Sequence, residues 1–292
     1  MSDVVARTHN LTKRFGGRAV LDGVSVTART GEVIGVLGKN GAGKTTLLEV
    51  LLGFSPPSDG SSEVFGYDSL RLPAAAKARI GFVPQRDELL DVMTGAQQLD
   101  IAACLHPRWN RALIDRLARD WQVPRGERIG TLSTGERQKL SILLALGHEP
   151  DLLVFDEPVA SLDPVARRDF LQQLWDLAAS GGKTILFSSH IVSDLERAAS
   201  TVCILKDGRI AWDGPLDTLK ESVVRLHIRA AHPLDRATLD IPHALSTRID
   251  GPQAVVVVSD WTPAAQDAAQ QLDAHVEVEP LALEEIFVEL HR

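Results

Sequence analysis

Residues Gly38-Lys39-Asn40-Gly41-Ala42-Gly43-Lys44-Thr45 follow the apolar run 33–37 and precede a helical pattern over 47–52. The spacing is Gly-x4-Gly-Lys-Thr, that of a phosphate-binding loop set between a strand and a helix. Glycines let successive N–H groups turn inward as an anion nest, and the following helix aims its positive end at the same point. Lys44 can then reach the β- and γ-phosphates of a nucleoside triphosphate, and the Thr45 hydroxyl can take one Mg²⁺ position. Gly-rich strand-to-helix turns also occur without nucleotide; the flanking strand and helix patterns favour the functional reading here.

Other segments deliver polar residues to the ends of apolar strands. Leu152-Leu153-Val154-Phe155 terminates in Asp156-Glu157, an expensive place for two carboxylates unless they are used. Beside a phosphate loop, the first carboxylate holds Mg²⁺ and the second orients or polarises the attacking water. The strand 184–189 delivers His190, and the strand 80–83 leads to Gln85. Phe15, on a loop upstream of the phosphate loop, is either a core residue or a surface on which a nucleobase stacks.

Strands are expected at 4–8, 20–27 and 63–66, with a turn signal ending the segment 11–17 at Gly16-Gly17 and a loop at 55–60. Between 91 and 123 the pattern is helical, with Leu113, Ile114, Leu117, Ala118 and Trp121 forming one stripe. This predicts a helical insert with its own outward face. Ser133-x-x-Glu136 fits a capping box, and a capped helix start is also an anion site. Asp163-Pro164 reads as a helix start, Ser193-x-x-Glu196 as a further cap, and Asp207-Gly208 as a hairpin turn.

Charge restricts the partners. Of the net −8, the residues from Glu221 onward contribute 5 basic and 12 acidic groups, and neither half has the basic surface of a nucleic-acid binder. Cys104 and Cys203 lack metal-ligand spacing, so two buried thiols in a reducing compartment are expected. No run approaches a membrane span and the first residues do not resemble a signal peptide; a membrane role therefore requires another chain's spans.

The order and spacing of these segments over roughly 4–220 resemble the ATP-binding cassette (ABC) ATPase. Gly38 to Thr45 matches its Walker A loop, Gln85 its Q-loop, Leu132 to Gln138 its signature and Leu152 to Glu157 its Walker B strand. Ser161-Leu162-Asp163 resembles its D-loop and His190 its switch histidine, while Phe15 falls where the family places an adenine-stacking aromatic. The resemblance implies an α/β phosphate-loop fold, with a RecA-like core, an antiparallel β subdomain and a helical subdomain at about 86–146. It implies ATP and Mg²⁺ as cofactors. Phosphates and metal would be held by Lys44, Thr45, Thr46 and the loop amides, with Gln85 and Asp156 completing the metal surroundings. Glu157 would be the general base, and His190 would contact the γ-phosphate. Ser133 and Gly135 would reach the γ-phosphate of ATP bound to a second cassette, homologous or identical, in a head-to-tail dimer. The signature departs from the commonest Leu-Ser-Gly-Gly-Gln at Thr134 and Glu136, and Lys39 adds charge beside the phosphates.

From 221 onward the pattern predicts a small α+β accessory domain: strand 223–228, hairpin 245–259, helix 262–272, strand 275–278 and helix 283–290. It resembles the extension of exporter-type cassettes with a separate permease. The expected function is an ATP-hydrolysing subunit, peripheral on the cytoplasmic face of the membrane, driving an integral-membrane permease, with export favoured. The alternatives are a soluble non-transport ABC protein and a weakly hydrolysing regulatory subunit.

Overall fold

The computed structural model describes residues 3–159, 162–235 and 239–292. Strand β1 (Val4–Phe15) pairs antiparallel with β2 (Arg18–Val24) and β3 (Thr27–Arg29). The strand expected at 4–8 runs on through Phe15 as one strand with register shifts between Leu11 and Arg14, and the expected turn falls at Gly16-Gly17. Bulges absorb the irregular alternation there, with Asn10 at a left-handed φ of 46°. The single strand expected over 20–27 is instead β2 and β3, separated by two residues.

Strand β4 (Val33–Gly38) is buried at every residue, as a central parallel strand covered on both faces must be. It feeds the loop that opens helix α1 (Lys44–Leu51). Strands β5 (Asp59–Val64) and β6 (Tyr67–Asp68) complete the first sheet, in the order β2-β1-β5-β6. The last two residues of the expected 55–60 loop are thus strand, with Gly60 at φ +78° permitting the early start. After α2 (Ala74–Lys77) and β7 (Ile80–Val83) comes the helical insert: α3 (Gly95–Leu105), α4 (Arg111–Asp120) and α5 (Thr134–Leu146). Ile114, Leu117, Ala118 and Trp121 bury the α4 stripe, and the Trp121 ring meets Phe170 edge-on at 6.1 Å.

Strand β8 (Leu152–Asp156), helix α6 (Pro164–Gly181), strand β9 (Thr184–Ser189), helix α7 (Val192–Ala198) and strands β10 (Thr201–Lys206) and β11 (Arg209–Pro215) follow. They join the second sheet, ordered β11-β10-β4-β9-β8-β7, in which β10, β4, β9, β8 and β7 run parallel. Asp207 and Gly208, both at positive φ, turn β10 back into β11 as a tight hairpin requires. Parallel pairing places the ends of β4, β7, β8 and β9 at one sheet edge, where open α/β sheets form ligand sites. Phe155 and Phe187 on β8 and β9 are fully buried, each stabilising the core by about 1.5–3 kcal/mol.

Two sequence expectations fail in this region. Ser193 does not cap α7: the helix starts at Val192 behind the N-cap residue Ile191, and the hydroxyl that accepts the Ile191 N–H is that of Ser189. Cys203 is buried in β10, where burial pushes its thiol pKa up, but Cys104 is exposed. It lies five residues beyond the buried Leu99 of α3, about 140° around the helix.

The chain divides into two compact units, 1–213 and 214–292. The domain boundary expected at 220/221 lies inside helix α8 (Leu216–Ser222), seven residues beyond this division. In the second unit β12 (Val224–Ala230), β13 (Ala244–Asp250), β14 (Gln253–Val258) and β15 (Ala274–Pro280) form an antiparallel sheet in the order β13-β14-β12-β15. Helix α9 (Pro263–Gln270) is opened by the Thr262 hydroxyl, and Ala265 and Ala269 pack with Leu226, Ile228, Val256 and Val258. The other β12 face carries Arg225, paired with Glu279 at 3.0 Å and with Glu285 of α10 (Leu283–Leu290) at 2.8 Å.

Candidate functional site

The loop after β4 depends on two left-handed glycines. Gly41 has φ +81° and Gly43 φ +104°, and a Cβ on Gly43 would stand 2.9 Å from the Val20 carbonyl oxygen. The loop thus closes tightly against β2 while turning into α1. It borders a cavity of about 280 Å³ lined by Val20, Asn40, Gly41, Gly43, Lys44, Thr45, Thr46, Gln85 and Glu157.

Lys44 is only 5% exposed. Its Nζ donates to the carbonyls of Gly38 (2.9 Å) and Lys39 (3.3 Å) and lies 3.3 Å from Glu157 Oε1. The ammonium is thereby aimed along the cavity wall with its charge compensated. Ala42 and Gly38 are buried beneath the loop, whereas the Lys39 side chain is exposed.

The two carboxylates after β8 have different surroundings. Asp156 is 1% exposed, and its Oδ1 accepts the Ser188 hydroxyl at 2.5 Å. That same hydroxyl accepts the Glu157 N–H at 2.9 Å. Ser188 is the β9 register partner of Asp156, so one side chain fixes both acids. Sequence reasoning missed it; its signal was a hydroxyl near the end of an otherwise apolar strand. Glu157 adopts a left-handed φ of 49°, which costs a non-glycine residue about 1–2 kcal/mol and swings its carboxylate toward the loop. Its Oε2 lies 3.0 Å from His190 Nδ1 and 3.5 Å from Gln85 Nε2. Behind His190, Ser189 Oγ bonds the Ile191 backbone and lies 3.4 Å from Asp194, whose pKa is raised by burial.

Among the described residues no three His, Cys, Asp or Glu side chains converge as a metal site. Thr45 and Gln85 are on the cavity wall, whereas Asp156, the neighbour of Glu157 in sequence, is buried and not among the lining residues; together they offer a mostly neutral oxygen set. Such a set suits a hard divalent cation that takes its remaining ligands from phosphate and water.

The remaining sequence candidates lie elsewhere. Ser133 and Gly135 are not among the cavity-lining residues; they open α5. Ser133 Oγ accepts from Glu136 N at 3.3 Å, while Glu136 Oε2 takes the Ser133 N–H at 2.8 Å and its hydroxyl at 2.7 Å. These bonds hold the Glu136 carboxyl below its usual range. Asp163 accepts the Val165 N–H and, with Trp121 and Phe170, lines a separate cavity of about 230 Å³. Phe15 is 51% exposed and is not on the phosphate cavity wall; the Lys13 ammonium lies 4.9 Å from its ring centroid. It is therefore not a core side chain. Ser161 lies outside the described residues.

This arrangement has counterparts in known proteins. Residues 21–160 match the family model described as ABC transporter. The Nod factor export ATP-binding protein I of Burkholderia lata is 33% identical, over 96% of this chain and 95% of its own length. The ABC transporter ATP-binding protein NatA of Bacillus subtilis is 39% identical, over 70% of this chain and 85% of its own. A solved structure described as the ATP binding subunit of an ABC transporter superposes with a TM-score of 0.67 at 28% identity, covering 74% of this chain and 92% of that one. With a phosphate loop, paired carboxylates and a histidine gathered at one edge of a parallel sheet, the chain belongs to the ABC transporter family, as one of its ATP-hydrolysing subunits.

Proposed function

We propose that this protein hydrolyses Mg²⁺-ATP at a site shared between two cassettes and uses the cycle to drive export through a separate integral-membrane permease. The observation that carries the reading is Glu157: a strained carboxylate held between Lys44 and His190 on the wall of the phosphate-loop cavity. Lys44 binds the β- and γ-phosphates, exchanging its present partners for phosphate oxygens. Glu157 orients the attacking water and accepts its proton, and His190 holds the Glu157 carboxylate and meets the γ-phosphate. Thr45, Gln85 and Asp156 would hold Mg²⁺, which would neutralise charge on the phosphates; the Ser188 hydroxyl fixes the Asp156 carboxylate.

Ser133 and Gly135, apart from this cavity, supply donors to ATP on the second protomer. Among the described residues no helix is long and apolar enough to cross a membrane, and Leu90, Val92 and Leu105 of the insert are exposed. Both features agree with docking on a permease at the cytoplasmic face, and the relative named for Nod factor export supports the direction. The self-closed Ser133–Glu136 cap favours one second reading, a weakly hydrolysing subunit that pairs with a different cassette.

Phosphate release should be measured across a protein concentration series, with and without Mg²⁺. A homodimeric ATPase gives Mg²⁺-dependent release that rises more steeply than protein concentration. A subunit needing a different cassette stays nearly inactive until that cassette is added. Activity strictly proportional to protein and undiminished in Glu157→Gln contradicts the shared-site mechanism. Co-purification with a membrane protein that lacks a cassette tests the permease assignment.

A further inference from the structure

Arg137 stands one residue beyond the α5 capping box, and its guanidinium joins three segments. Nε and Nη2 grip the two Asp87 carboxylate oxygens at 3.0 and 2.6 Å, while Nη1 reaches Asp91 Oδ1 at 2.6 Å and the Ile129 carbonyl at 3.1 Å. The Arg137 and Asp87 side chains are only 20% and 18% exposed, so the pair is better shielded than an ordinary surface ion pair. Two-point pairing fixes the plane of the guanidinium as well as its distance. Arg137 in turn holds the Asp87 carboxyl below its usual range. Backbone bonds run alongside: Gly130 N donates to the Asp91 carbonyl and Ile129 N to that of Met93.

This clamp stands between the two parts of the proposed ATP site. On one side, Asp87 is two residues from Gln85, which lines the phosphate cavity and lies 3.5 Å from Glu157. On the other, Arg137 directly follows Glu136, whose carboxylate closes the Ser133 cap. A displacement of Gln85 by nucleotide cannot move the 85–91 segment freely while two of its carboxylates are pinned to the first turn of α5.

We infer that Arg137 is a positioning residue: its grip on Asp87 and Asp91 carries the movement of Gln85 at the phosphate cavity to the N-terminus of α5. The Ser133–Gly135 turn is thereby presented to a second protomer's nucleotide in register with the cavity of its own chain. This rests on the ATPase reading above. A purely structural ion pair would alter melting and leave turnover of the folded protein unchanged.

The test uses the full-length protein with Arg137→Gln, Arg137→Lys, Asp87→Asn and the double variant Asp87→Asn/Arg137→Gln. Turnover, equilibrium ATP affinity and melting midpoint are measured, with turnover taken well below every midpoint. Arg137→Gln should lower kcat roughly 5- to 20-fold with ATP affinity within about 2-fold of the unmodified protein. Arg137→Lys, which keeps the charge and loses the fork, should fall between. The double variant should be no worse than the more severe single one, because both break one contact. If Arg137→Gln does not fold, Asp87→Asn gives the same reading from the other side of the clamp. Folded variants that match the unmodified kcat overturn the assignment, as does a kcat loss that is additive in the double variant. An unmodified protein with no turnover under any condition would overturn the ATPase reading instead.

Discussion

The two regions that should meet ATP are built in opposite ways. The phosphate-loop region draws on the ends of four strands, β4, β7, β8 and β9, and three of its charged groups are withdrawn from solvent: Lys44 and Asp156 are buried and Glu157 nearly so. The helix-cap region is one turn at the start of α5, with Ser133 and Thr134 exposed and Glu136 satisfying its donors from within. The first is preorganised by tertiary structure; the second closes its cap by local bonding, with Arg137 just beyond the cap tying the same turn to Asp87 and Asp91. Buried charges that compensate one another need an incoming phosphate to replace Glu157 beside Lys44, whereas an exposed cap needs only a partner surface. Under the proposed mechanism, the difference puts the chemistry in one protomer and leaves assembly as the step that completes it.

Substitutions can break this comparison, and the largest effect belongs to the buried side. Glu157→Gln should cut kcat by about 10²–10⁴-fold while ATP binding persists, checked by phosphate release against equilibrium binding. Removing the Lys44 ammonium comes next. In Lys44→Ala, affinity for ATP should fall about 10–150-fold, the loss expected for charge-assisted hydrogen bonds, as titration calorimetry can show. The cap should behave differently. Ser133→Ala should lower stability by about 1 kcal/mol through loss of the helix cap, and reduce turnover. Its ATP affinity in dilute, monomeric protein should match that of the unmodified chain. A comparable loss of monomer affinity would place Ser133 in the cavity of its own protomer.

The smallest effect is one of pH, and it sharpens the contrast at the junction between the two regions. Arg137 lowers the Asp87 pKa in the folded state relative to the unfolded chain. The resulting stability is present above the unfolded value and is lost as pH falls through the folded one. Melting midpoints recorded downward from pH 6 should therefore show an acid limb that Asp87→Asn flattens by about 2 °C. An unchanged limb would mean that other carboxylates dominate it.

The buried region was the more legible in sequence. Apolar runs ending in Gly38, Asp156-Glu157 and His190 announce a parallel sheet with polar edge residues, because only strands covered on both faces read as continuous hydrophobic stretches. What escaped was set by pairing between distant strands. Ser188 fixes both carboxylates through its β9 register with β8, and its one local signal, a hydroxyl near the end of an apolar strand, does not say what it pairs with. Nothing in the sequence pairs Arg137 with Asp87 and Asp91, which lie about fifty positions away. The Ser133–Glu136 box was readable from its four-residue spacing, whereas the similar Ser193–Glu196 pair was misleading because the β9–α7 turn starts the helix earlier. Phe15 and Cys104 show the same limit, since exposure depends on what tertiary structure leaves uncovered.

The central claim, that each working site joins the phosphate loop of one protomer to the helix cap of another, is tested most directly by complementation. Lys44→Ala disables one region and Gly135→Asp, which places a carboxylate at the cap, disables the other; each variant alone should be nearly inactive. Mixed in equal amounts and allowed to exchange, they form heterodimers in which one site pairs an intact loop with an intact cap. ATPase activity should recover to about a quarter of the unmodified level if the sites act independently. Activity no greater than the sum of the two separate variants would contradict a site shared between protomers.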